Sequence, residues 1–170
     1  VCPSDHLITN EGAYLNNIQT ALKITEKEDI LVTIGIKPTR PDTGYGYIKY
    51  DNNDKKSLKK VKTFTEKPNQ ELAQEFIESG DYVWNAGIFV WSANSIIKSF
   101  KELLPEEAEV FSEGIFHYNT DTEQSYINDI FSKCKNISID YGIMEKAGNV
   151  YTVLSDFNWS DLGTWNSIYE

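Results

Sequence analysis

Ile30-Leu31-Val32-Thr33-Ile34-Gly35-Ile36 is an apolar, β-branched run with charge upstream at Glu28 and Asp29 and Pro38 downstream. It is too short for a helix and lacks polar alternation, so it predicts a strand buried on both faces. Just upstream, Tyr14, Ile18, Ala21, Leu22 and Thr25 recur at helical spacing over residues 10–27, with Asn10 as the expected N-cap. A helix leading into a doubly buried strand is half of an alternating α/β layout. The expected fold class is therefore α/β.

Further along, residues 45–50 and 60–65 alternate in the manner of strands, and polar residues 51–56 between them mark a hairpin connection. Leu72, Ala73, Phe76 and Ile77 give a helix over 69–79 that Gly80 should stop. Residues 87–91 read as another buried strand, Ser92 opens a helix, and Pro105 begins one more. Asp121 and Gln124 suggest a capping box for a helix ending near Cys134. A short helical turn over 141–146 and a strand over 150–154 complete the pass. At the start, Val1-Cys2-Pro3 resembles the last residues of a strand. No repeat, low-complexity tract or linker interrupts the chain, so a single domain over residues 1–170 is expected.

With 40% apolar residues in 170, the chain can bury a real core. Its 16 basic and 26 acidic residues give a net charge of −10, which argues against nucleic acid as a partner. No apolar run approaches the ~20 residues of a membrane span, and no secretion-type leader is expected. Cys2 and Cys134 form no C-x-x-C pair, which points to a reducing, cytoplasmic setting. Both are expected to be small buried hydrophobes rather than nucleophiles.

Four segments and one pair of aspartates could carry chemistry. Gly44-Tyr45-Gly46-Tyr47 lets backbone amides approach a ligand, although it equally suits a tight turn before a strand. In Glu66-Lys67-Pro68, the proline restricts the residue before it and can bend both charged side chains toward one cleft. A carboxylate accepts from sugar hydroxyls and an ammonium neutralises phosphate; a solvated pair at a strand end is the plainer alternative. Asn85, within Trp84-Asn85-Ala86-Gly87, offers both donor and acceptor to a hydroxyl, or simply makes a turn. Asp140, beside Tyr141, is a further candidate, equally explained as a helix cap. Asp5 and Asp161, near the two ends of the chain, are the pair of carboxylates that magnesium accepts when it also holds phosphate. Nucleophilic catalysis finds little support: there is no G-x-S-x-G, and His6 and His117 read as structural.

In this order, Pro3-Ser4-Asp5-His6, Gly35-Ile36-Lys37-Pro38-Thr39 through Gly44-Tyr45-Gly46-Tyr47-Ile48, Phe64-Thr65-Glu66-Lys67-Pro68, Trp84-Asn85-Ala86-Gly87-Ile88-Phe89, Ser138-Ile139-Asp140-Tyr141-Gly142-Ile143-Met144-Glu145-Lys146 and Trp159-Ser160-Asp161-Leu162-Gly163-Thr164-Trp165 resemble the sugar-nucleotide pyrophosphorylases. The likeness is greatest to those that use mannose 1-phosphate and GTP. It implies a Rossmann-like mixed sheet of the nucleotide-diphospho-sugar transferase type, with N-terminal strands missing. It also implies formation of GDP-mannose and pyrophosphate, with Mg2+ as cofactor held by Asp5 and Asp161. Glu66 and Asn85 would hold sugar hydroxyls, Lys67 the sugar phosphate, and Tyr45 and Gly46 the sugar through their backbone; Asp140 would also face substrate. The family's glycine-rich loop, G-G-x-G-x-R-L-x-P-L, has no counterpart here. A sugar-phosphate-binding piece inactive alone is therefore expected, with another hexose 1-phosphate and nucleotide, or a non-catalytic binding module, as alternatives. A homodimer is expected on the ground that a sheet lacking its first strands exposes edges.

Overall fold

The computed structural model describes residues 1–52 and 57–163. Part of the expected hairpin connection (53–56) and the end of the tryptophan segment (164–170) lie outside the described residues. Packing gathers the chain into two compact units, one of Val1–Ser92 with the segment from Gly148 onward, the other of Ala93–Ala147.

The first unit holds the sheet. Strand β1 (Leu7–Ile8) is followed by α1 (Glu11–Thr25), whose N-cap Asn10 accepts from the Ala13 amide at 3.1 Å. β2 (Leu31–Ile36) is buried at every residue, as its composition predicts. Fully burying a side chain such as Leu31, Val32 or Ile34 contributes about 1.5–3 kcal/mol. β3 (Tyr47–Tyr50) and β4 (Leu58–Thr65) form the expected antiparallel pair. α2 (Gln70–Ser79) starts at Asn69, which caps the Leu72 amide, and stops at Gly80, whose φ of 74° suits glycine. β5 (Tyr82–Trp91) is longer than expected, and β6 (Val150–Ser155) and β7 (Trp159–Ser160) close the unit.

β2 pairs parallel with β6 and antiparallel with β5, which makes the sheet mixed. The ladder runs β2-β5-β3-β4-β6 and returns to β2, while β1 and β7 form a separate two-stranded sheet. Each ring strand has two neighbours, so the strand-edge reason for self-association falls away within the ring. Gly35 permits the close approach at its centre: a Cβ there would lie 2.5 Å from Val83 Cγ2 and 2.7 Å from Thr152 Oγ1. Val1 exchanges both main-chain bonds with Phe89, its amine donating at 2.8 Å and its carbonyl accepting at 2.9 Å, as the end of a strand would.

The second unit is helical: α3 (Ala93–Leu103), α4 (Pro105–Glu113), a 3-10 turn (Gly114–Phe116), α5 (Glu123–Phe131) and a π-helical turn (Asp140–Met144). The Asp121–Gln124 capping box does not form. Thr122 is the cap residue and makes no side-chain cap bond; its hydroxyl is engaged by Thr120 Oγ1 at 2.8 Å and His117 Nδ1 at 3.0 Å. The cysteines also differ from expectation. Cys2 is exposed, since its segment runs along the surface, and Cys134 is half-buried, its thiol donating to the Ile130 carbonyl at 3.4 Å.

Candidate functional site

Three residues of the first unit meet where β3, β4 and β5 adjoin. The β3–β4 register pairs Tyr47 with Thr65, so Gly46 and Glu66 follow at the next rung. Gly46 and Glu66 are packed so closely that a Cβ at Gly46 would overlap Glu66 Oε2 and lie 3.4 Å from the Asn85 Cβ. The Asn85 amide donates to the Gly46 carbonyl at 2.8 Å, which ties β5 to the same spot. Glycine at 46 is therefore what lets the Glu66 carboxylate rest on the backbone next to Asn85.

A bulge aims Asn85. Along β2, Thr33 pairs with Phe89 and Gly35 with Asn85, so two steps on β2 match four on β5. Gly87, at φ 67°, absorbs the surplus. Asn85 thus lies inside a strand, not in a loop before one as its sequence suggests. Its Oδ1 accepts from the Thr33 hydroxyl at 2.9 Å and from the Gly87 amide at 3.2 Å.

Lys67 leaves the end of β4 with φ 46°, a left-handed conformation that breaks the strand's alternation before Pro68. Its side chain is exposed, whereas Glu66 is half-buried. The backbone is bent here, but in the left-handed region rather than the extended region that a following proline favours.

At the other side of the site, β1 pairs antiparallel with β7, Leu7 with Ser160 and Ile8 with Trp159. Asp5 precedes Leu7 and Asp161 follows Ser160, so both leave the same end of this ladder. Asp161 is half-buried and Asp5 exposed. Asp161 Oδ1 accepts from the Tyr45 hydroxyl and the Gly163 amide, each at 2.9 Å. Its Oδ2 has no hydrogen bond among the described residues. A side chain at Gly163 would come within 2.8 Å of that Oδ2. Burial, with the hydrogen bond to Asp161 and its charge adding, pushes the Tyr45 phenol far above its ordinary range, which keeps it a donor. His6 is structural: its Nδ1 accepts from Trp159 Nε1 at 3.0 Å, edge-on to that ring.

Asp140 stands in the second unit as the first residue of the π-helical turn, with Ile139 in the cap position. It is not a helix cap, and its part in the site rests on resemblance. Sequence reasoning missed Thr33 and Arg40. Thr33 was hidden within an apolar strand. Arg40 pairs with Asp42 at 3.0 Å and lies 5.5 Å over the Trp84 ring. Arg40, Tyr45, Trp84 and Trp159 help line a cleft of about 630 Å3, which Glu66 and Asn85 do not line. The latter pair stands apart from that cleft.

The nucleotidyl transferase family profile matches residues 1–170, and the chain belongs to that family. It is 40% identical over 171 residues to a mannose-1-phosphate guanylyltransferase of Sinorhizobium fredii and 35% identical over 175 residues to one of Escherichia coli. Both alignments cover 100% of this chain but only 33% and 38% of those proteins, so the chain spans about a third of their length. A Thermus thermophilus crystal structure described as a mannose-1-phosphate geranyltransferase superposes with a TM-score of 0.85 at 33% identity, covering 100% of this chain and 49% of that one. A Helicobacter pylori structure described as a mannose-6-phosphate isomerase gives 0.76 at 30% identity, covering 94% and 62%.

Proposed function

We propose that this chain forms the sugar-phosphate side of a guanylyltransferase that joins mannose 1-phosphate to GTP, releasing pyrophosphate and GDP-mannose. The observation that carries this reading is the meeting of Gly46, Glu66 and Asn85 in the unit where Asp161 is held by Tyr45. A carboxylate accepts hydrogens from sugar hydroxyls and an amide can supply the opposite polarity, so the pair can read both ends of a hydroxyl dipole. Lys67, exposed beside Glu66, neutralises the phosphate as that phosphate's oxygen attacks the α-phosphorus in line. No protein nucleophile is required for such a displacement.

Asp5 and Asp161 fit magnesium, which takes one or two carboxylates and completes its shell with water and phosphate oxygens. Asp161 supports this reading: two donors take its Oδ1, and among the described residues none takes its Oδ2. When bound there, magnesium supplies positive charge to the attacking and departing phosphate oxygens. Tyr45 and Gly163 fix the direction in which Asp161 presents its oxygen. Among the described residues no helix is long and apolar enough to cross a membrane. The cytoplasm, where both substrates would be consumed, is the proposed setting.

Calorimetric titration of the chain with mannose 1-phosphate and magnesium, with and without GTP, tests the reading. Saturable binding is expected, and Lys67→Ala should weaken it roughly tenfold, the loss of a charge-assisted contact. Absence of saturable binding, or an unchanged affinity in Lys67→Ala, would reject it.

A further inference from the structure

β1 and β7 join the segments that carry Asp5 and Asp161 through only two residues each, Leu7 with Ser160 and Ile8 with Trp159. Away from the aspartates, main-chain bonds carry the pairing on, from the Thr9 amide to the Asn158 carbonyl at 3.3 Å and from the Asn10 amide to the Phe157 carbonyl at 3.2 Å. A ladder this short is marginal by itself. Asn158 and Leu162, either side of Trp159–Asp161, are left-handed at φ 54° and 53°, and such conformations persist only where the surroundings fix them. Toward the aspartates the link is made by side chains. Trp159 Nε1 donates to His6 Nδ1 at 3.0 Å, joining residues 153 apart in sequence. The same residue lies against the Tyr45 ring, centroids 5.1 Å apart, and Tyr45 donates its hydroxyl to Asp161 Oδ1 at 2.9 Å. Trp159 therefore touches both the residue after Asp5 and the residue that aims Asp161.

We propose that Trp159 is a positioning residue for both carboxylates: its N–H, through His6, sets the bend that presents Asp5, and its ring, through Tyr45, backs the hydroxyl that aims Asp161. Different parts of the indole do the two jobs. The N–H can only donate, so His6 meets it with Nδ1 as acceptor. That bond holds the His6 ring edge-on to the indole at 83°, and with it the main chain leaving the bend over residues 4 and 5. Asp5 is exposed and makes no side-chain hydrogen bond among the described residues, so its placement comes from that backbone. The ring, by contrast, packs on Tyr45 whether or not it carries an N–H, and Trp84 also lies against Tyr45, centroids 5.0 Å apart. This inference rests on the magnesium reading of Asp5 and Asp161 given above.

Calorimetric titration of the chain with magnesium in the presence of mannose 1-phosphate separates the two contributions. Trp159→Phe keeps a ring against Tyr45 but loses the N–H, and should weaken magnesium roughly tenfold. His6→Leu should do the same. His6→Asn, whose carboxamide oxygen stands where Nδ1 stood, should stay within about threefold of native. The coupling between sites is the sharper readout. In a Trp159→Phe background Asp5→Asn should add less than about twofold, whereas Tyr45→Phe should keep its own roughly tenfold effect. A loss of packing alone would leave both effects at full size. Thermal unfolding of each variant reports whether the fold survives. Native magnesium affinity in a folded Trp159→Phe, or a full Asp5→Asn effect in that background, would overturn the role of Trp159. If Trp159→Phe does not fold, His6→Leu binding magnesium as tightly as His6→Asn overturns it equally. A native chain whose magnesium affinity is indifferent to both Asp5→Asn and Asp161→Asn would instead remove the magnesium reading itself, and this inference with it.

Discussion

The sugar side and the ion side of the candidate site are built on different principles. Gly46, Glu66 and Asn85 belong to or adjoin long ladders of the five-stranded ring, with Asn85 held by a buried threonine from its neighbouring strand. Asp5 and Asp161 instead leave a two-residue ladder, and Asp5 is exposed. The Glu66–Asn85 side is tied into ladders and side-chain bonds, whereas on the other side one oxygen of Asp161 is held and Asp5 is exposed. Magnesium is suited to this, because it keeps several waters and needs few protein ligands. A stereochemically demanding ligand needs the rigid half, since misplacing a donor or acceptor forfeits its hydrogen bond.

The contrast can be broken at either end. Asp161→Asn should have the largest effect, removing the magnesium response of mannose 1-phosphate titrations, by roughly 100-fold or more in metal affinity, while leaving the unfolding temperature near native. Retained magnesium response would show that the ion side does not depend on this carboxylate. Gly46→Ala comes next. The new methyl meets the far end of a flexible side chain, so Glu66 swings away; sugar-phosphate binding should fall by ~1.5–3 kcal/mol with little change in stability. Gly35→Ala separates packing from binding, because its methyl meets Val83 and Thr152 deep in the sheet. It should cost about 1–3 kcal/mol in chemical denaturation.

Tyr45→Phe should be milder, lowering magnesium affinity about tenfold through the loss of the bond that aims Asp161. The same bond predicts a pH dependence. Tyr45 holds its proton more tightly folded than unfolded, so its contribution is complete below the ordinary phenol value of about 10 and disappears as pH rises through the folded value. Ultraviolet titration of native against Tyr45→Phe should therefore show one phenol fewer ionising late, and an equal late phase in both would count against the assignment. The smallest effect is expected at Asp81, which the Ser79 hydroxyl and Lys49 hold below the usual carboxylate range against the opposing effect of burial. Its contribution is present above about pH 4 and is lost on further acidification, so Asp81→Asn should flatten the acid limb of stability slightly.

Much of the fold was legible because single physical signals governed it. β2 is apolar but for Thr33 and is buried throughout, and Asn69 and Gly80 start and stop α2 by the chemistry their types suggest. The first half of β5 was not legible. Asn85 and Gly87 interrupt the apolar run, and only the partner strand shows that they form a bulge rather than a loop. α5 misled for another reason, since the acid at Asp121 lies one turn residue too early to cap it. The site residues were readable as types able to hold sugar and phosphate. Thr33 was not, because nothing in an apolar strand announces which hydroxyl faces a partner three strands of sequence away.

The two surplus residues on β5 also bear on how this protein could be improved by hand. Removing them would give a smoother sheet with more regular pairing, and a stability screen would reward the change. The shortened strand would also carry Asn85 off its threonine and turn the carboxamide loose. Libraries aimed at hardening the scaffold should therefore leave residues 85–88 untouched if the Thr33–Asn85 bond is to be kept.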